Sequence, residues 1–290
     1  MLLACACTAP RSILYSSQAL PKGGFQAGVN GDVNVPTQTN RTLYGSLDQG
    51  VKTLYNNVSK NAETSITADS LNGFVKALIA FSVDPLGIQP GVYIRYGFWP
   101  RLEGGYHRNG PANGYDLRWQ FLGPKWKDSV GDNNPWTGSF GVQYSSQSFE
   151  LPSIAGLDKL QSLLQYNFDR KDILLPLVFG KPLGAKGKFG SFGLGLAYNV
   201  TFIEYDSDIR KMVERLVDGS TKTFENLHGD KTISAYGGFA NARLGYRWVY
   251  LVGSMSTFWQ DYGTFKLFGG KKTDLAGWTL IPSMALEFRW

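Results

Sequence analysis

The fold is indicated most directly by the stretch Trp278-Thr-Leu-Ile-Pro-Ser-Met-Ala-Leu-Glu-Phe-Arg-Trp290 at the end of the sequence. Every second position back from Trp290 is apolar or aromatic, with Pro282 as the single interruption, while Glu287 and Arg289 lie between these positions. A period of two is typical of a β-strand with one apolar face and one polar face. Since ordinary strands average about five or six residues, this strand is unusually long for a soluble domain.

The same alternation recurs over most of the chain and predicts about ten strands. It appears in residues 23–35, 91–98, 102–107, 116–121, 139–145, 191–202, 240–248 and 278–290. The strands approach the roughly 9–11 residues that a tilted strand needs to cross a bilayer. Short turns at 98–100, 181–187 and near 248 alternate with long connections at 151–168, 206–230 and 263–274, and the longer polar loop 123–135, on the side of the short turns, is the exception. This alternation favours an even number of antiparallel strands.

Composition excludes several classes of protein. The 290 residues are 43% hydrophobic with a mean hydropathy of −0.19, and no run of about 18 apolar residues predicts a transmembrane helix. A transmembrane barrel remains compatible, because half of each strand faces a polar lumen. The net charge is +6, but the basic residues are scattered, so nucleic-acid binding is not expected.

The polar strand face collects charges of both signs. We expect a network facing the lumen, formed by Arg95, Arg101, Glu103, Asp116, Arg118, Arg243, Arg247, Glu287 and Arg289. The opposite face carries Leu, Val, Phe, Trp and Tyr with almost no charge. Such a pattern fits apolar side chains facing lipid and charges inside. A soluble two-sheet fold with these charges in solvent remains an alternative.

The segments Ile94-Arg-Tyr-Gly-Phe98, Arg101-Leu-Glu-Gly-Gly105 and Asp116-Leu-Arg118, with the aromatic terminal strand, resemble hairpins and the closing strand of bacterial outer-membrane β-barrel proteins. The resemblance implies an all-β fold, a closed antiparallel transmembrane β-barrel of about ten strands. It also implies the outer membrane of a Gram-negative-type bacterium as location. The partners would be the lipid bilayer and the barrel assembly machinery, which would read Phe288 and Trp290.

Two segments depart from the strand pattern. Residues 1–19 are interpreted as a targeting segment and linker, and Leu2-Leu-Ala-Cys5 resembles a lipobox that would make Cys5 a lipidation site. Residues 20–290 are expected to form one barrel domain, with a helical insert at 40–85 where apolar residues recur at helical spacing. We expect that insert to pack against the barrel or over its mouth.

The sequence leaves three functions open. The first is a narrow pore or passive transporter for small solutes, anionic or hydrophobic in kind, and the second is a non-conducting structural or surface-interaction barrel. The third is a membrane-embedded hydrolase, which would need a histidine beside a nucleophile or carboxylate. His107 and His228 are the two histidines, and neither has an obvious partner. No catalytic residue, metal or cofactor is therefore expected.

Overall fold

The structure is a computed structural model that describes residues 11–37, 72, 76, 79–80, 83–124, 135–150, 166–184, 189–207, 227–266 and 271–290. The strands are β1 (Phe25–Pro36), β2 (Gly87–Trp99), β3 (Leu102–Asn109), β4 (Ala112–Leu122), β5 (Thr137–Glu150), β6 (Tyr166–Leu183), β7 (Gly190–Ser207), β8 (Leu227–Tyr246), β9 (Val249–Lys266) and β10 (Lys272–Arg289). Consecutive strands pair antiparallel, and β1 pairs with β10. The predicted closed antiparallel barrel is confirmed.

The seam between β1 and β10 leaves no free sheet edge along its length. Its register runs from Gln26 opposite Arg289 to Pro36 opposite Thr279. Phe25 and Trp290 exchange two backbone hydrogen bonds of 2.9 and 3.0 Å, and their ring centroids lie 4.8 Å apart. Closure matters in lipid, because an unpaired backbone group in hydrocarbon costs several kcal/mol.

Side chains alternate between a lipid-like outside and a polar interior. Leu194, Leu196 and Leu286 are 42%, 67% and 41% exposed on the outside, whereas Arg118 and Arg243 are each only 2% exposed in the interior. A soluble fold would put the leucines inside and the arginines in water, because buried charges are costly. The soluble two-sheet alternative is therefore wrong, and the surface is that of a transmembrane barrel.

Two groups of aromatic side chains bound the apolar outside. Trp278, Trp259, Tyr236 and Tyr198 lie in register on β10, β9, β8 and β7. The other group comprises Trp290, Trp248, Tyr246, Phe189 and Trp99. From Trp278 to Trp290 the strand rises about 40 Å, or about 30 Å along the barrel axis at a tilt of about 40°. This span matches the hydrocarbon core of a bilayer, which is about 30 Å thick.

The two ends of the barrel differ. At the turn end, tight turns at Pro100–Arg101 and Arg247–Trp248 join β2 to β3 and β8 to β9, and the longer connections 123–136 and 184–189 join β4 to β5 and β6 to β7. The opposite end, called the loop end, carries the connections 37–86, 151–165, 208–226 and 267–271. The β3–β4 connection at the loop end is tight, because only Gly110 and Pro111 lie between these strands.

Most of the predicted helical insert at 40–85 lies outside the described residues. Asn72, Lys76, Ile79, Ala80 and Val83 have helical backbone, but the described residues contain no continuous helix there, so the insert stays a prediction. In the described part of the chain, no helix has the length and apolar character needed to cross a membrane.

We expect a charge in the middle of the outer apolar surface to destabilise the barrel in lipid. Met284 lies midway between Trp278 and Trp290 and is 61% exposed, so Met284→Arg should lower the free energy of unfolding by about 2–4 kcal/mol. Ser148→Arg is the matched control, because Ser148 is an outward residue near the loop end of β5. That variant should lose about 0–1 kcal/mol. Equilibrium urea unfolding in lipid vesicles measures both, and equal losses would contradict the membrane placement.

Candidate functional site: a lumen closed from within

The lumen is occupied by the chain's own residues 11–20, here called the plug. Every residue of the plug except Ser12 is buried, and Ile13 and Ser17 are 0% and 2% exposed. The predicted boundary between linker and barrel at residue 20 is therefore not a structural one, because residues 11–19 lie inside the barrel. Cys5 falls among residues 1–10, outside the described part, and its lipidation stays a prediction.

The plug runs along the barrel axis toward the turn end. Near the turn end, the backbone N–H of Leu20 donates to Glu103 at 2.6 Å, and that of Ala19 donates to Gln120 at 3.1 Å. At the other end of the plug, Arg11 reaches Asp84, which precedes β2 at the loop end. The plug thus spans much of the lumen before the chain turns back into β1.

Side chains of the wall, not strand pairing, hold the backbone of the plug. Arg118 donates to two carbonyl oxygens of the plug, and Asn241 donates to two others at 3.1 and 3.3 Å. Arg243 donates to the Leu14 carbonyl, and Ser254 donates to the Ile13 carbonyl that Asn241 also contacts. Buried backbone groups need hydrogen-bond partners. The polar side chains of the wall supply those partners to the carbonyl groups of the plug.

The first charged cluster centres on Glu103. This carboxylate accepts from Arg95 Nη1 at 3.0 Å and from Arg118 Nη2 at 2.5 Å, and Arg95 also pairs with Asp116 at 2.9 Å. The ring of Tyr15, from the plug, lies 4.4 Å from the Arg95 guanidinium and 5.0 Å from that of Arg118. The plug therefore adds cation–π contacts to an ion-pair cluster of the wall.

A second cluster surrounds Glu287. Its carboxylate accepts from Arg243 at 2.8 Å, from Arg289 at 2.5 Å, from Gln26 at 2.7 Å and from the Tyr93 hydroxyl at 3.0 Å. Seven of the nine residues predicted to face the lumen lie in these two clusters. Both clusters are buried, so their pairs are unscreened by bulk water.

The other two residues that were predicted to face the lumen lie in turns outside these clusters, so the prediction is wrong for them. Arg101 and Arg247 occupy the tight turns, with φ of 77° and 57°. A residue with left-handed backbone does not continue the in–out alternation of a strand. The alternation that predicted inward side chains for Arg101 and Arg247 therefore ends before these turns. Arg101 donates to the Gly123 carbonyl at 2.7 Å, and Arg247 is exposed beside the Tyr246 ring.

A third cluster, at the loop end, was not predicted. Asp84 is fully buried and accepts from Arg11, Asn34, Gln260, Tyr262 and Thr279 at 2.5–2.9 Å. Arg170 is also buried, paired with Asp172 at 2.8 Å, and donates to the Val83 carbonyl at 2.7 Å. In the sequence, Asp84 is recognisable only as the residue that ends a helical pattern before Pro85.

Two inward glycines, Gly28 and Gly195, leave no free space in the bore. A Cβ on Gly28 would lie 2.5 Å from the Tyr93 ring, and one on Gly195 would lie 2.6 Å from the Phe239 ring. Both aromatic residues are the register partners of these glycines on the next strand. Each glycine therefore accommodates a large cross-strand neighbour inside the barrel.

The wall of the lumen is sealed from solvent. Ser139, Asn199 and Ser256 come from three different strands, face inward, and are each 0% exposed. A cavity of about 30 Å³ lies between the plug and the wall, which is room for about one water molecule. In the described part of the chain, the plug and the wall therefore leave little room for water around this cavity.

The two histidines belong to different strands, β3 and β8. His107 is buried in the lumen wall, with Nδ1 3.9 Å from Asp116 and Nε2 3.4 Å from Gln143. His228 belongs to β8 opposite Asp206, near the loop end. His107 is 7% exposed, so little of its ring meets solvent.

Comparisons with known proteins give no family assignment. No protein-family model and no curated protein matches this sequence. Similar solved structures include Ail, the attachment invasion locus protein of Yersinia pestis, at 8% identity and a TM-score of 0.33, with 93% of this chain and 99% of that chain covered. The outer membrane protein OprG of Pseudomonas aeruginosa is 9% identical with a TM-score of 0.33, covering 94% and 99%. The closed ten-stranded barrel and its apolar exterior identify the fold as that of a transmembrane β-barrel.

Proposed function

We propose that the chain is an outer-membrane protein of a Gram-negative-type bacterium whose lumen is closed by its own plug. In this proposal it acts as a non-conducting structural or surface-interaction barrel. The observation that carries the proposal is the burial of the lumen wall, where inward polar residues of several strands have no exposed surface. A water-filled channel would leave such residues accessible, as in porins.

The loop end is the working surface in this proposal. Short turns face the periplasm in outer-membrane barrels and longer connections face outward, and this rule supports a loop end that faces outside the cell. Near this end, the outward residues Ser148, Asp169, Lys171 and Glu204 are exposed and polar. These polar strand ends would extend beyond the bilayer, where they could contact a partner in water.

A narrow pore or transporter is less well supported. Six carboxylates are buried inside the barrel, namely Asp32, Asp84, Glu103, Asp116, Asp172 and Glu287, against six arginines, namely Arg11, Arg95, Arg118, Arg170, Arg243 and Arg289. This balance among the described residues removes the excess of positive charge that would favour anions. A conducting state would first require the plug to leave.

We also propose that the chain is not an enzyme and that its partners are the bilayer and the barrel assembly machinery. The burial of His107 supports the absence of hydrolase activity. Phe288 and Trp290 are 41% and 66% exposed on the outside of β10, where a partner can read them before the seam closes.

The proposal is tested by labelling and by conductance. In a Cys5→Ser, Cys7→Ser background, Ser148→Cys at the loop end should react with a membrane-impermeant maleimide on whole cells. Arg247→Cys at the turn end should react only after lysis. The unmodified chain should show no channel events in planar bilayers. Reversed labelling would contradict the orientation, and stable channels in the intact chain would contradict the closed lumen.

A further inference from the structure

The sheet of the barrel divides between β8 and β9 at the loop end. Among the described residues, the register pairs of these two strands end at Ser234 opposite Asp261. Both strands continue beyond this pair and stay paired on their other sides, β8 with β7 as far as Leu227 and β9 with β10 as far as Lys266. The division leaves a space between the strands, here called the notch, with a volume of about 520 Å³.

A bulge in β9 produces this division. Leu275 of β10 pairs with Gly263 and its neighbour Ala276 pairs with Asp261, so Tyr262 is an extra residue in β9. Gly263 has a φ of 65°, which glycine adopts readily, and its N–H donates to Asp261 Oδ1 at 2.8 Å. A bulge bends its strand and increases the local twist. We therefore attribute the separation of β9 from β8 to these three residues.

Lys231 of β8 spans the notch. Its ammonium donates to the carbonyl oxygens of Tyr262 and Thr264 at 2.9 and 2.6 Å, and it lies 3.7 Å from the centre of the Phe265 ring. The lysine side chain thus bonds to the backbone of β9 where strand pairing has ended. An ammonium group has three N–H donors, so Lys231 can keep both bonds and still donate to an acceptor in the notch.

The notch begins at the level of the lipid headgroups. The pair Ser234–Asp261 lies two residues beyond Tyr236 and Trp259, which belong to the aromatic group on β7–β10. Two residues rise about 7 Å along a strand, or about 5 Å along the axis at a strand tilt of about 40°. The headgroup layer extends about 5–8 Å beyond the hydrocarbon on each side. Since Thr232, Ser234 and Asp261 are exposed on the outside, the notch opens toward these headgroups.

An apolar groove continues from the notch into the hydrocarbon region. The notch and the groove share Tyr236, and the groove has a volume of about 540 Å³. Gly238 forms its floor, because a Cβ there would meet no atom closer than 3.5 Å. Leu196 of β7 lies on one side of this floor, and Thr257 and Trp278 lie on the other. A polar space joined to an apolar one matches the two parts of a lipid molecule.

We propose that the notch and the groove together bind one membrane lipid, with an acyl chain in the groove and a zwitterionic headgroup in the notch. The lining of the notch includes one charge of each sign, Lys231 and Asp261. Lys231 attracts the headgroup phosphate and Asp261 attracts the headgroup ammonium. Asp274, whose charge also acts on Lys231, adds to the attraction for an ammonium and disfavours a purely anionic headgroup. The site lies on the outside of the barrel and does not depend on a closed lumen.

Native mass spectrometry of the delipidated full-length chain, titrated with phosphatidylethanolamine, tests the site. The unmodified chain should retain one molecule of this lipid. Gly238→Leu fills the floor of the groove and displaces about two CH₂ groups of the acyl chain, so retention should weaken about tenfold. Gly253→Leu is the matched control, because Gly253 of β9 has nothing within 4 Å of its Cβ position and does not line the groove. That variant should retain the lipid normally.

Asp261→Asn tests how the headgroup is recognised. The asparagine keeps an acceptor for the Gly263 N–H but removes the negative charge. The unmodified chain should prefer phosphatidylethanolamine to phosphatidylglycerol, and this preference should fall about threefold in the variant, as expected for an exposed ion pair.

Three results would overturn the proposal. Retention that is absent, or equal in the unmodified chain, Gly238→Leu and Gly253→Leu, would mean that the groove holds no lipid of its own. Retention of phosphatidylglycerol as strong as that of phosphatidylethanolamine would contradict recognition by charges of both signs. A dimer of the unmodified chain that Gly238→Leu dissociates would mean that a second copy of the chain fills the groove.

Discussion

Removing residues 1–20 is expected to convert a silent barrel into a conducting one. An eight-stranded barrel is just filled by its own side chains, and this ten-stranded barrel is filled with the help of the plug. Without the plug, the guanidiniums of Arg118 and Arg243 lose their carbonyl acceptors and face an open lumen that water enters. Planar-bilayer recording should change from no resolvable current to discrete openings.

The control for this truncation must separate an open lumen from a broken barrel. The truncated chain should keep its β-sheet content by circular dichroism, because all ten strands begin at or after Phe25. Replacing residues 11–20 with a Gly-Ser segment of equal length keeps the chain length but removes the Tyr15 and Arg11 contacts, and should give intermediate, flickering openings. A truncated barrel that is folded and still silent would mean that the plug does not close the lumen.

Replacing Glu103 is expected to cause the largest loss of stability among single substitutions in the wall. Glu103→Ala leaves Arg95 and Arg118 buried with one carboxylate fewer and leaves the Leu20 amide without its acceptor. Breaking a buried ion pair by removing one partner costs about 3–5 kcal/mol, because the remaining charge is uncompensated. Urea unfolding in vesicles should report that loss.

Arg247→Ala is the matched control for charge removal. Arg247 is exposed in its turn, so its loss should change the free energy of unfolding by no more than about 0.5 kcal/mol. Combining Glu103→Ala with Arg118→Met should recover part of the lost free energy of unfolding, because the second substitution removes a buried cation that has lost its carboxylate partner. Equal effects of Glu103→Ala and Arg247→Ala would mean that the lumen pairs are hydrated and that the interior is open.

The barrel itself was predictable because its strands are periodic where they cross lipid. The alternation at 192–202 and 278–290 reflects one face in hydrocarbon and one in a polar interior, which leaves little freedom in the choice of residue. Before Trp278 the outward positions of β10, Lys272 and Asp274, are charged, so the apolar outer face ends there and the pattern is lost. The sequence therefore placed residues 272–274 in a loop, although the strand begins at Lys272.

The plug was not predictable from local pattern. Residues 11–20 have no regular secondary structure, and their partners, such as Asn241 and Ser254, lie more than 200 residues away. A non-periodic segment that is satisfied only by distant side chains resembles a linker when it is viewed alone. The plug has one local sign of burial in its sequence, the stretch Arg11-Ser-Ile-Leu-Tyr15. A linker in solvent would have small polar residues at these positions instead of large apolar ones.

The seam also has a consequence for biogenesis. It joins the earliest strand to the latest, and the pair Gln26–Glu287 bridges 261 positions of sequence. Until the final strand has been synthesised and exported, the two outermost strands of the nascent sheet remain open templates for wrong pairing. Contacts of such long range form slowly. Export of this chain should thus depend on chaperones that shield β1 throughout transit, and a ribosome stalled before Lys272 should release an aggregation-prone product.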